Sequence, residues 1–337
     1  MVKIKKFNND TISQAVNELI NGNLISFPTE TVYGLACSAL SVDAIEKVYR
    51  IKGRPPTNPL IVHVLDHEQA SDLCVTNKFS KLLANVFWPG PLTFILPKRK
   101  CIPHQLTAGL PNVGIRSPSH PLFRRVLKKV KIPLAAPSAN PANKLSPTSP
   151  LDIVESFGKD CPEILDGGPC ELGIESTVLD LTTSVPNILR PGPIGQASIE
   201  EVLGFPVNCT NGGKTTGSNS EIPKTSPGQE IKHYAPDTPL YLYSNIDVMI
   251  NSKHLKIRHV MVLPHPKVLA NISKQEPLSL YFSQTGNPRD IAKNLFSTLR
   301  RADKLNKEII HTSLFPDNEE LYSALNDRLS RAASVRI

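Results

Sequence analysis

The sequence has no CxxC pair and no histidine-rich segment to accompany its six cysteines, Cys37, Cys74, Cys101, Cys161, Cys170 and Cys209. A zinc framework and a redox motif are therefore unsupported, and the cysteines read as buried thiols in a reducing compartment. No apolar run approaches the roughly 20 residues that a membrane-crossing helix needs, and the opening "MVKIKKFNND" has no apolar core of signal-peptide length. A cytoplasmic protein without a membrane partner is expected. No GxGxxG, HExxH or GxSxG is present, so the common dinucleotide, zincin and hydrolase signatures fail. "NGGKTT" imitates the end of a phosphate-binding loop, but that pattern needs a glycine where Asn208 stands. Aromatic residues make up only 6% of the chain, and no basic patch interleaved with stacking residues appears, which counts against an RNA binder without catalysis.

What is present describes an ordinary globular protein with an appetite for anions. Of 337 residues, 40% are hydrophobic and 20% charged, enough to bury two cores, and the formal net charge is +8. That charge favours a nucleotide, nucleic acid or other acidic partner. Helical and strand patterns alternate from residue 11 to about 205, beginning with the helix "TISQAVNELING" and the strand "LISFP". Ser149 and Pro150 mark the start of the helix "SPLDIVESFG", and Ser198 with Glu201 reads as a capping box opening "SIEEVLG". Three late strands, "EILDGG", "STVLDL" and "NILRPG", argue against a simple doubly wound sheet. Residues 206–236 have linker composition, rich in Gly, Ser, Thr, Asn, Pro and Lys. A smaller α/β domain fits 237–337, which leaves 1–205 as the first domain.

Chemistry is concentrated in short polar clusters beside strand ends. The stretch "KGRPPTNPL" sets Lys52 and Arg54 two residues apart, then stiffens the chain with two prolines. Such an arrangement gains little from local folding and points to a negative ligand. Lys52, Arg54, Arg116 and Arg190 supply charge suited to phosphate, while Ser138, Ser146, Ser176 and Thr177 supply hydroxyls. In open α/β sheets ligands sit where strand-end loops converge, so these segments are candidates for one cavity. Each residue also has a plain structural explanation: a solvated charge, a local cap, a core position for His63, or packing for Tyr33 and Trp88.

Taken together, "FPTETVYGL", "KGRPPTNPLIVHV", "WPGPLTF", "VGIRSPSHP", "APSANPANKLSPT", "IESTVLDL" and "LRPGP" resemble the threonylcarbamoyl-adenylate synthase family, whose members carry a YrdC-like domain. Lys52, Arg54, Ser138 and Asn140 look like its KxR...SxN signature, and the resemblance runs in order over about residues 6–205. "SPGQEIKHYAP" resembles the linker motif of the long form, and "NDRLSRAAS" the end of its extra domain, although the small glycine-rich turn often found before the last helix is replaced by "NEELYSALNDRL".

The resemblance implies an α/β fold: a twisted mixed sheet around a basic cavity, plus a smaller C-terminal Rossmann-like domain. It implies a nucleotidyltransferase that makes L-threonylcarbamoyl-adenylate and pyrophosphate from ATP, with Mg2+, L-threonine and bicarbonate or carbon dioxide. Downstream proteins would transfer the threonylcarbamoyl group to tRNA, and direct tRNA contact is compatible with this. The residues matching the family's threonine positions are Thr31, His63, Arg116, Ala136 and Ser176. Those matching its nucleotide positions are Lys52, Arg54, Asn58, Asn112, Ser138, Asn140, Ser146, Arg190 and Tyr234, with no metal-ligating side chain implied. Residues 206–236 are expected to act as a lid that brings Tyr234 over the same cavity. Two other readings stand beside this one: a non-catalytic double-stranded RNA or tRNA binder, and a carbamoyl-phosphate-dependent transferase, whose usual zinc-finger-like and acylphosphatase segments are absent.

Overall fold

The computed structural model describes residues 4–210, 233–271 and 277–337. They divide between two compact units, the first taking 4–142, 147–171 and 175–210 and the second 143–146, 172–174, 233–271 and 277–337. "NGGKTT" and most of the expected lid, residues 211–232, lie outside the described residues.

In the first unit the strands are β1 (Ile4–Lys6), β2 (Ile25–Pro28), β3 (Tyr33–Ser38), β4 (Ile61–His63), β5 (Leu92–Pro97) and β6 (Asn112–Arg116). They continue with β7 (Leu134–Ala135), β8 (Glu163–Asp166), β9 (Thr177–Asp180), β10 (Asn187–Arg190) and β11 (Asn208–Cys209). Among the described residues they form a single mixed sheet in the order β1-β8-β2-β3-β7-β4-β6-β5-β9-β10-β11. Helices α1 (Asn9–Ile20), α2 (Val42–Lys52), α3 (His67–Ser71), α4 (Lys78–Phe87), α5 (Pro121–Val130), α6 (Pro150–Phe157) and α7 (Gln196–Leu203) flank it.

Period-two alternation of the strand side chains builds two cores. From β3, Tyr33, Leu35 and Cys37 enter a large cluster with Ala44, Ile45 and Val48 of α2 and Leu83 of α4, whereas Ala36 enters a second cluster. That second cluster joins Ile12, Ala15, Val16 and Leu19 of α1 to Leu122, Phe123, Val126 and Leu127 of α5. Both helices place apolar residues at i, i+3, i+4 and i+7, which explains why they bury one face each. Phe123 meets Phe27 edge-on at 4.6 Å. Truncating so buried a ring typically destabilises by about 3–5 kcal/mol.

Local chemistry sets the helix limits. Asn8 with Thr11, Asn77 with Ser80, and Ser149 with Asp152 each make reciprocal capping boxes, and Pro150 fills the first turn of α6. The box expected from Ser198 and Glu201 does not form. Thr177 Oγ1 donates to Ile194 O (2.7 Å) and accepts from Ile194 N (3.1 Å), which pins the chain to β9. The helix then opens at Gln196 from Gly195, and no side chain caps it. The stretch "IPLAAPSA" contributes only the two residues of β7, because proline at 133 and 137 brackets them. Strands β1, β3 and β11 and helix α3 were not anticipated from the sequence.

Among the described residues the second unit has five parallel strands in the order β14-β13-β15-β12-β16: β12 (Leu240–Tyr243), β13 (Val260–Leu263), β14 (Leu278–Tyr281), β15 (Ile310–Ser313) and β16 (Val335–Arg336). Helices α8 (Ile246–Ile250), α9 (Pro288–Asp303) and α10 (Glu320–Ala332) connect them. A buried polar chain crosses this sheet: His259 Nδ1 lies 2.8 Å from His311 Nε2, and His311 Nδ1 lies 2.9 Å from the Tyr243 hydroxyl. Burial, with the neighbouring histidines adding to it, pushes His311 down to about 4, and burial lowers His259 as well.

An unfolded histidine titrates near 6.5, so between that value and about 4 the unfolded chain binds protons that the folded unit refuses. The stability contributed by neutral His311 is therefore complete above about pH 6.5 and is lost as the pH falls towards 4. Thermal melts across this window should show a falling midpoint for the wild type. His311→Gln, which cannot titrate, should flatten the dependence; an equally steep fall in that variant would place the acid sensitivity elsewhere.

Candidate active site

Helix α2 ends because Gly53 adopts the left-handed conformation (φ 58°), which folds Gly53 N onto Arg50 O (3.2 Å) and Arg54 N onto Tyr49 O (3.0 Å). A residue with a Cβ would be strained there. The cationic elbow is therefore a helix stop, and this stop turns both charges inward: Lys52 is 2% exposed and Arg54 8%. The Arg54 guanidinium donates from Nε to Asn58 O (3.0 Å) and from Nη2 to Asn58 Oδ1 and to Pro59 O (2.9 Å), so it braces the turn that leads into β4. The Lys52 ammonium donates to the main-chain carbonyls of Ser138 and Asn140. Residues of the expected KxR and SxN stretches thus meet directly. Ala142 N closes the arrangement by bonding Lys52 O (2.7 Å).

The strand register gathers a second set. His63 pairs with Arg116 between β4 and β6, Thr93 lies opposite Arg116 by continuation of Phe94↔Ile115, Thr93 pairs with Val178, and Val178 with Arg190. Five neighbouring strands therefore place His63, Arg116, Thr93 and Arg190 in one row. Arg116 donates to Glu30 Oε1 (2.6 Å), Thr31 Oγ1 (3.1 Å) and Gly90 O (3.2 Å). Arg190 grips Ser176 at O (2.9 Å from Nη2) and at Oγ (3.1 Å), and Ser176 Oγ lies 2.8 Å from Thr93 Oγ1. Glu30, Thr31, Arg116, Ser176 and Arg190 are all buried.

Electrostatics sorts these groups. No carboxylate of the described residues lies within ion-pair range of Lys52, and burial, reinforced by the positive charge of Arg54, holds its ammonium well below the usual lysine range. A buried cation without a counter-charge is costly by several kcal/mol. An anion bound beside it would remove that cost. His63 is pushed down to about 3 by burial and by Arg116, so it meets any ligand as a neutral ring packed 5.1 Å from Phe123.

The remaining expected residues are placed as follows. Ala136, buried just past β7, donates its N–H to Ile61 O (3.2 Å), and Asn112 opens β6, half-buried. Ser146 and Tyr234 belong to the second unit. There Tyr234, in the left-handed region (φ 61°), stacks on Phe296 at 5.5 Å beneath the Arg328 guanidinium at 5.3 Å. In the same unit Ala235 N bonds Asn143 O (2.9 Å), and Arg300 Nη2 bonds Leu145 O (3.2 Å). Sequence reasoning missed Glu30 and Thr93. Glu30 stands inside the quoted "FPTETVYGL", and its signal was the acid itself, the one carboxylate in an otherwise uncharged stretch.

A mixed α/β fold with buried arginines along one row of strand ends, and a buried lysine held, among the described residues, by main-chain carbonyls, presents a cationic arrangement suited to an anionic ligand. Two family descriptions cover nearly the whole chain: "Telomere recombination", the Sua5–YciO–YrdC domain, over residues 17–192, and "Threonylcarbamoyl-AMP synthase, C-terminal domain" over 194–334. The chain is 37% identical over 336 residues to the threonylcarbamoyl-AMP synthase of Bacillus subtilis, covering 98% of this chain and 95% of that one. It is 35% identical to the protein of that name from Pyrococcus abyssi, with 94% and 92% covered. The crystal structure of P. abyssi Sua5 complexed with L-threonine superposes with a TM-score of 0.86 at 32% identity, covering 99% of this chain and 98% of that one. The chain belongs to the threonylcarbamoyl-AMP synthase family.

If an anion settles beside Lys52, the depressed lysine must regain its proton at any pH between the lowered value and the ordinary 10.5. Calorimetric titration of ATP at a series of pH values below 10.5, in buffers of different ionisation enthalpy, should therefore register a window of net proton uptake. Lys52→Arg, permanently charged, should abolish it. Identical uptake in that variant would assign the proton to another group.

Proposed function

We propose that this protein synthesises L-threonylcarbamoyl-AMP, releasing pyrophosphate, from L-threonine, ATP and bicarbonate or carbon dioxide. The observation that carries the reading is the buried Lys52 ammonium, set beside Arg54 and held by the backbone of the SxN stretch. Family membership supplies the identity of the reaction, and the cationic chemistry supports it.

In this reading Lys52, Arg54, Asn58, Asn112, Ser138, Asn140, Ser146, Arg190 and Tyr234 serve the nucleotide, and Thr31, His63, Arg116, Ala136 and Ser176 serve the amino acid. The threonine amine captures carbon dioxide as a carbamate, losing a proton. A carbamate oxygen then attacks the α-phosphorus of ATP as the bond to the bridging oxygen breaks, and pyrophosphate leaves with that electron pair. No covalent enzyme intermediate is required. Positioning and neutralisation of phosphate charge supply the acceleration, which is work for fixed cations. Among the described residues no three His, Cys, Asp or Glu side chains gather as a metal cage. Mg2+ would arrive on the nucleotide, as MgATP, since this ion keeps phosphate and water ligands and needs few from protein. The neutral, buried His63 suits the apolar and hydroxyl parts of threonine better than its carboxylate, which falls to Arg116. The product is a donor for tRNA-modifying transfer proteins, and the site lies in a chain in which no described helix is long and apolar enough to cross a membrane.

Pyrophosphate release from ATP should require threonine and bicarbonate together, and omission of either should stop it. Lys52→Ala and Arg54→Ala should each lower the rate roughly a hundredfold, equivalent to ~3 kcal/mol of transition-state stabilisation. Release that continues without threonine would refute the assignment, and salt-dependent RNA binding without any turnover would favour a binding protein.

A further inference from the structure

Glu30 is a buried acid that the functional reading leaves without a task. It is 4% exposed, it lies in the turn between β2 and β3, and both of its oxygens are engaged: Oε1 accepts from Arg116 Nη2 at 2.6 Å and Oε2 from Ser119 N at 3.1 Å. Ser119 follows Arg116 by three residues, so this carboxylate ties the guanidinium to the backbone of its own strand's exit. Thr31 Oγ1 and Gly90 O hold two further N–H groups, and Gly90 N is in turn fixed on Ser117 O (2.8 Å). Three of the five guanidinium donors are thereby directed, which leaves one N–H on each of Nη1 and Nη2 for a ligand.

We infer that Glu30 is a positioning residue for the amino-acid substrate: it sets the plane of Arg116 so that this remaining pair of donors meets the substrate carboxylate as a two-pronged grip. The inference rests on the proposed assignment of Arg116 to threonine. The chemistry of the two contacts makes Glu30 hard to replace. A carboxylate offers acceptors at both ends, whereas glutamine offers one acceptor and one donor, so Glu30→Gln must turn an NH2 towards either the guanidinium or Ser119 N–H. Aspartate keeps the charge but is one methylene short of spanning both. A grip that is rotated or displaced loses the second hydrogen bond first, and with it most of the discrimination that a planar fork provides.

The test is steady-state kinetics of pyrophosphate release with threonine and ATP varied separately. Glu30→Gln should raise the threonine KM at least about tenfold and leave the ATP KM within about twofold. Because Glu30 acts through Arg116, the double variant Glu30→Gln/Arg116→Lys should have the threonine KM of Arg116→Lys alone rather than the product of the two effects. Multiplicative losses overturn the inference. So does a fall in kcat with an unchanged threonine KM, which would put Glu30 in the chemistry itself, and so does a parallel rise in both KM values, which would mark a merely structural role. If Glu30→Gln does not fold, Glu30→Asp is read against the same outcomes. If the wild type itself releases no threonine-dependent pyrophosphate, the functional assignment fails; if the wild type does and the variants behave like it, only the role of Glu30 is lost.

Discussion

A lysine ammonium shut inside a protein with only carbonyl oxygens for company is the constraint around which the first unit is arranged. Carbonyl dipoles satisfy the donors of Lys52 without cancelling its charge, and the neighbouring Arg54 makes the deficit worse. The rest of the unit offsets this cost by burying apolar helix faces on both sides of a continuous sheet. Binding free energy from a negatively charged ligand is then available at the place where the chain has been left electrostatically incomplete.

Other features of the site are means of keeping cations in fixed directions. Gly53 stops α2 so that Lys52 and Arg54 turn inward, Asn58 and Pro59 brace one guanidinium, and Ser176 braces another. The sheet contributes register: because β4, β6, β5, β9 and β10 are neighbours, residues separated by more than a hundred positions in the chain stand in one row. Arg116 differs from Lys52 in carrying its own counter-ion, Glu30. The two cations therefore differ in charge balance: Arg116 is neutralised by a carboxylate, whereas the Lys52 ammonium is held below its usual range by burial and by the positive charge of Arg54.

Much of this was legible in the sequence. The spacing of Lys52 and Arg54 before two prolines announced a cationic elbow, and the polar clusters at strand ends announced convergence. The helices α1, α2, α5 and α9 follow from apolar periodicity, and Ser149–Pro150 from capping chemistry. Other parts were not readable because they depend on tertiary partners. Nothing local says that Lys52 will bond the carbonyls of Ser138 and Asn140, 86 and 88 residues away. Strand β3 was hidden because its residues are embedded in a motif that reads as a polar loop, and the false cap at Ser198 arose because Thr177, on another strand, fixes where α7 begins. Glu30 was passed over although it is the one carboxylate of its stretch, because its role depends on Arg116, which only the fold brings to it.

The most direct measurement is a crystal structure of the protein with L-threonine and a non-hydrolysable ATP analogue. The account predicts phosphate oxygens within hydrogen-bonding distance of Lys52 Nζ, about 2.7–3.2 Å, with that ammonium drawn from its carbonyl partners towards the phosphates. Phosphates bound in some other region, with Lys52 still turned only to Ser138 and Asn140, would contradict it.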